Sequence, residues 1–133
     1  MHGQTGGTGS AVFGEATGNG AGVFGDSASG PGVQARSATG PALNVIGRAQ
    51  FSRSGTVTIS YPNKSATVTG VPVTAKSLAF ATLQQFLAGR YVVAVVPNLG
   101  GSSNSFTIYL NKAPGTSTTP KSVVVGWHVI EKP

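Results

Sequence analysis

The sequence predicts an all-β protein: a short Gly-rich β-helical or intertwined repeat stem over residues 1–42, then an antiparallel β-sandwich of about seven strands over 43–133. Two observations predict the sandwich. Alternation of apolar and polar residues recurs, and turn chemistry separates the alternating runs. A third predicts the stem: a Gly-led unit repeats at Gly9-Ser10-Ala11-Val12-Phe13-Gly14, Gly20-Ala21-Gly22-Val23-Phe24-Gly25, Gly30-Pro31-Gly32-Val33 and Gly40-Pro41-Ala42-Leu43, in steps of 11, 10 and 10 residues. Self-similarity at a fixed period marks a repeat architecture.

Within the stem, residues 1–8 read as a lead-in. Each unit then carries one aliphatic anchor, Val12, Val23, Val33 or Leu43, among Gly, Ala, Ser and Thr. A linker has no reason to keep an aliphatic residue in register. At ~3.3 Å per extended residue, ten residues span only about 33 Å, a short perimeter for one chain to coil round its own core. So few large apolar side chains also cannot offset the entropy of ordering the segment. The stem is therefore expected to pack against copies of itself. A homotrimer, with each chain supplying one side of a triangular shaft, satisfies both constraints. The first unit starts in mid-register, which suggests part of a longer protein.

The body is read element by element. Thr56-Val57-Thr58-Ile59-Ser60-Tyr61 alternates, with Val57, Ile59 and Tyr61 on one face. Ser105-Phe106-Thr107-Ile108-Tyr109-Leu110 alternates likewise, with Phe106, Ile108 and Leu110 inward and Tyr109 outward. Tyr91–Val96 and Ser122–Ile130 are nearly all apolar and read as central strands covered on both sides. Leu43–Phe51, Ala66–Thr69 and Ser77–Leu83 complete the set. Pro62-Asn63, Val71-Pro72, Pro97-Asn98, Gly100-Gly101 and Pro114-Gly115 supply the turns. Leu83–Ala88 has an i, i+4 leucine pair but meets Gly89 at once, so it is read as a loop or single turn.

Composition narrows the function classes. Twenty Gly and 8 Pro stand among 133 residues, about one in five against an average of roughly 12%. Charged residues make up only 9%, which suits turn-rich β-structure rather than exposed helices. Cys is absent, so disulfides and thiolate chemistry are excluded. Glu15, Asp26 and Glu131 are the only carboxylate side chains. Paired-carboxylate glycosidases, Asp-bearing triads and oxygen-ligand Ca²⁺ sites need acids in one place. An enzyme, a metal site and a cofactor are therefore not expected. The nine Lys and Arg are scattered singly, unlike a clustered nucleic-acid surface, and no run of ~20 apolar residues suggests membrane insertion.

Gly20-Ala21-Gly22-Val23-Phe24-Gly25 matches the dinucleotide fingerprint, but another repeat unit follows it where a helix N-terminus is required. Trp127 and His128 are adjacent in one strand and so face opposite ways, one inward and one outward. An outward His in a trimer could converge on the axis to hold an anion or metal, but an ordinary interface or surface His is the favoured reading. Exposed aromatics with polar neighbours suit sugar stacking, which marks Tyr109, Tyr91, Arg90 and Asn111 as candidate ligand contacts.

Residues 9–48 resemble the Gly-Val-x-Gly repeat shafts of bacterial and phage fibre-like proteins. The stretch from Gly55-Thr56-Val57 through Phe106-Thr107-Ile108 to Gly126-Trp127-His128-Val129 is similar to H-type-lectin-like and fibre-tip sandwiches, whose late strand bears a Trp. The resemblance implies a homotrimeric, extracellular or virion-borne module with a β-helical stem and a globular head. The expected function is structural trimerisation at a fibre tip, contacting a cell-surface glycan or protein receptor. The alternative is a carbohydrate-binding, lectin-like head. The acidic and metal-binding positions of that family have no counterpart in this body.

Overall fold

The computed structural model describes residues 6, 12–100, 104–115 and 120–132. Most of the lead-in including His2, the first half of the Gly9–Gly14 unit and the Gly101 half of one turn lie outside those residues. The chain divides into two compact units, Met1–Arg48 and Ala49–Pro133.

Ala49–Pro133 is all-β, without a helix among its described residues. Its strands are β1 (Ser54–Ser60), β2 (Ser65–Thr69), β3 (Ser77–Leu83), β4 (Val92–Asn98), β5 (Ser105–Leu110) and β6 (Ser122–Glu131). They form two antiparallel sheets, ordered β1-β6-β3 and β2-β5-β4. The inward residues of both sheets make one core. Val123, Val125 and Val129 of β6 pack with Phe106, Ile108 and Leu110 of β5, and Ile59 and Val68 flank them. Phe106, Ile108, Val123 and Val125 are wholly buried. Trp127 packs against this core and meets Phe106 edge-on at a centroid distance of 5.2 Å.

The alternating segments fold as read except at Tyr61, and two other segments do not. The expected strand over Leu43–Phe51 does not form. Its residues are exposed, and Gly47 has a φ of 119°, a left-handed conformation that interrupts extended backbone. Among the described residues six strands therefore stand where about seven were expected. Tyr61 does not share the buried face of Val57 and Ile59, because β1 ends at Ser60 and Tyr61 enters the turn to β2. The run Tyr91–Val96 is an edge strand rather than a central one. It begins at Val92, is bulged between Val92 and Ala94, and leaves Val93 and Val96 exposed. It also runs through Pro97, tolerated because an edge needs no second ladder. Leu83 ends β3 and residues 84–88 are a loop, as Gly89 suggested.

Residues 12–48 form neither strand nor helix. Bends at Gly22-Val23 recur at Gly32-Val33, and the Gly30 N–H donates to Ser27 Oγ at 3.0 Å as Gly40 N–H does to Ser37 Oγ at 3.1 Å. Among the described residues, no backbone–backbone hydrogen bond falls within this segment. The backbone approaches itself where side chains are missing. A Cβ on Gly25 would lie 2.5 Å from Val33 Cγ2 and 2.6 Å from the Gly32 carbonyl oxygen. Every described side chain of the segment is exposed, including the four anchors.

Glycine also shapes the sandwich. A Cβ on Gly55 would sit 2.8 Å from Trp127 Cζ2, against a rigid ring already seated on Phe106. One on Gly126 would meet only the amide end of the Gln84 side chain, which can swing away. Gly55→Ala should therefore cost about 1–3 kcal/mol through overpacking, and Gly126→Ala under about 1 kcal/mol. Denaturant melts of the two variants would check this; equal losses would show that the ring yields.

Candidate functional site

Strand register gathers one end of the sandwich. Ser60 lies opposite Ser122, Ser65 opposite Tyr109 and Val92 opposite Leu110. The turns beyond these pairs are tied together through their backbones. Tyr61 N–H donates to the Lys121 carbonyl at 2.7 Å, Leu110 N–H to the Lys64 carbonyl at 2.8 Å and Asn111 N–H to the Tyr91 carbonyl at 3.1 Å. Lys64, Arg90, Lys112 and Lys121 thus share an end with all three tyrosines. The chain enters the sandwich at the opposite end, before Ser54.

The four sequence candidates belong to this gathered end, in two roles. Asn111 holds the 89–91 turn: its Oδ1 accepts from Tyr91 N–H at 3.1 Å and its Nδ2 donates to the Gly89 carbonyl at 3.0 Å. Arg90 Nε donates to the Ala113 carbonyl and Nη1 to the Ala88 carbonyl, each at 3.2 Å. These two side chains lock neighbouring loops while keeping part of their polar surface. Tyr91 and Tyr109 are exposed. Tyr61, Lys64 and Lys121 join them without having been singled out in the sequence. Their only signal there is position, each flanking a strand end. Beside Tyr109, the outer face of β2-β5-β4 carries a polar row, with Thr67 Oγ1 3.0 Å from Thr107 Oγ1 and Asn98 Nδ2 donating to Ser105 Oγ and Thr107 Oγ1.

Trp127 turns inward and His128 outward. The His128 ring stacks on Phe80 with centroids 5.0 Å apart and planes at 13°. The pair borders an open depression of about 690 Å³ over the outer face of β1-β6-β3, lined also by Phe51, Thr56, Thr82 and Gln84. Among the described residues, no three His, Asp or Glu side chains come together as a metal would need.

Glu131, the one carboxylate of 49–133, is committed elsewhere. Its Oε1 accepts from Ser77 Oγ at 2.6 Å and from Arg53 Nη2 at 2.8 Å, and Oε2 accepts from Thr74 Oγ1 at 3.0 Å. Arg53 also donates to the Pro72 carbonyl, so the network ties the start of β1, the β2–β3 loop and the end of β6. Strand alternation sends Glu131 and His128 to opposite faces, so Glu131 does not orient His128.

Comparison with protein-family models, with curated proteins and with solved structures finds no match to this chain.

The Ser77 hydroxyl and the Arg53 guanidinium hold the Glu131 carboxyl below its ordinary value of 4.5. A depressed folded-state value stabilises the fold above the unfolded value, and that contribution disappears as pH falls through the folded one. Glu131→Gln should therefore melt lower than the parent at pH 7, and the gap should shrink as pH falls below about 4. A gap that stays constant down to pH 2 would show that the charge contributes nothing.

Proposed function

We propose that this chain is the structural trimerisation and tip module of a fibrous surface or virion protein, without catalytic activity, whose sandwich contacts a receptor. The observation that carries this reading is the mismatch within 12–48 between apolar content and burial. Val12, Phe13, Val23, Phe24, Val33, Leu43 and Ile46 are all exposed, Phe24 at 82% and Ile46 at 94%. Exposed apolar groups in such number mark an interaction surface. The same segment supplies almost no internal hydrogen bonds, although backbone N–H and C=O groups are obligatory partners in ordered structure.

Other copies of the chain meet both needs. The repeat presents one anchor per unit to a neighbour, and Gly at the points of closest approach lets backbones crowd. Self-association with closed symmetry is the commonest oligomeric solution, and three chains suit a triangular shaft with sides of about ten residues. The head would then be presented three times. The polar constitution of 49–133, with its single carboxylate tied to Arg53, favours a binding role over catalysis.

Light scattering on the full chain tests the reading. The expected mass is three times the 13.3 kDa chain. Val23→Asp and Val33→Asp should each shift the population towards single chains, because a packed anchor cannot be replaced by an unpaired charge without a cost of several kcal/mol. A parent mass of one chain, or variants with unchanged mass and melting, would overturn it.

A further inference from the structure

We propose that the end of the sandwich bearing Lys64, Arg90, Lys112 and Lys121 is a binding surface for an acidic polysaccharide, one carrying carboxylate or sulfate groups. The proposal rests on the reading above only in taking the head as the contacting part of the protein.

Charge placement is the first argument. Arg36 and Arg48 balance Glu15 and Asp26, so the formal net charge of +6 falls entirely on 49–133. Within that unit the ends differ. Arg53, Lys76 and Lys132 stand at the entry end, where Glu131 pairs with Arg53 at 2.8 Å. The opposite end holds four cations and no carboxylate. Lys64, Lys112 and Lys121 are exposed. Such a one-signed surface attracts polyanions and raises their association rate.

The second argument is what accompanies the charges. Tyr61 and Tyr91 are exposed on the same turns, and Phe86, in the loop before Arg90, is 93% exposed. Aromatic faces with hydroxyl edges suit pyranose rings, whose CH faces are apolar and whose rims are polar. Asn63 and Gln85 add amides; Gln85 Nε2 already reaches the Ser122 carbonyl at 3.2 Å.

The third argument separates a glycan from a nucleic acid. Lysine is a mobile point charge rather than a planar fork fitted to one phosphate. Single-stranded nucleic acids are held in grooves where aromatic platforms take successive bases, and duplexes need a helix or ribbon in the groove. Here the cations and aromatics stand on separate turns at the end of a sandwich, with no helix among the described residues. That spread suits a flexible polymer whose charges recur once per sugar or two.

The test measures binding of the full chain to dextran sulfate, polygalacturonate, neutral dextran and single-stranded oligothymidine over a salt series, with light scattering on the same samples. The expected result is binding to at least one of the two acidic glycans and not to neutral dextran. A Lys64→Gln/Lys112→Gln/Lys121→Gln variant should lose about tenfold or more in affinity, with the log–log salt slope falling by roughly 0.7–0.9 per lost contact. Lys76→Gln/Lys132→Gln, at the entry end, should change affinity less than about threefold. No binding to either acidic glycan, equal losses in the two variants, or tighter binding of oligothymidine would each overturn the proposal. A single-chain mass alongside the expected pattern would remove the trimer and leave this surface standing.

Discussion

The sandwich depends on the stacking of its two central strands. β5 contributes Phe106, Ile108 and Leu110, β6 contributes Val123, Val125 and Val129, and these make up most of the buried core. Each is flanked on both sides by a partner strand, so the core strands have their backbones satisfied as well as their side chains buried. The edge strands add Ile59, Val68 and partly buried residues such as Val57, Ala79 and Val95. A core this small leaves little surplus stability. It explains why the two ends are stitched by specific polar contacts: Arg53 with Glu131 at one, Asn111 and Arg90 with the 88–91 turn at the other.

The strands that could be read from the sequence are those where pattern and burial coincide. Ser105–Leu110 alternates because one face is core and the other carries Thr107 and Tyr109, and Ser77–Leu83 has the same bounds in sequence and structure. Composition alone misleads elsewhere. Val92–Val96 is as apolar as β6, yet a bulge and an edge position expose half of it, because an apolar run does not say which sheet neighbour exists. Leu43–Phe51 has strand-forming residues but no pairing partner, and Gly47 turns the chain within it.

The candidate site was legible only in part. Arg90-Tyr91 and Tyr109-Leu110-Asn111 are two short runs in which an exposed aromatic stands beside a polar side chain, so local reasoning could find them. Lys64 and Lys121 carry no such local pattern and are far from each other, and only the cross-strand connections bring their turns to one end. The cations that argued against a nucleic-acid surface are scattered in sequence, and strand register brings four of them to one end. The dispersed anchors of 12–48 pose the reverse problem: their sequence register is plain, while a single chain shows nothing that buries them.

The two units therefore rest on different physics. Residues 49–133 bury their own core and carry the whole net charge, whereas 12–48 are neutral, apolar along one repeating position and poor in internal hydrogen bonds. In the proposed assembly, other copies of the chain complete residues 12–48. Amide hydrogen exchange across 12–48 tests it most directly. Inter-chain pairing predicts exchange well below free-peptide rates at concentrations where the chains assemble. Free-peptide rates throughout 12–48 at every concentration would contradict it.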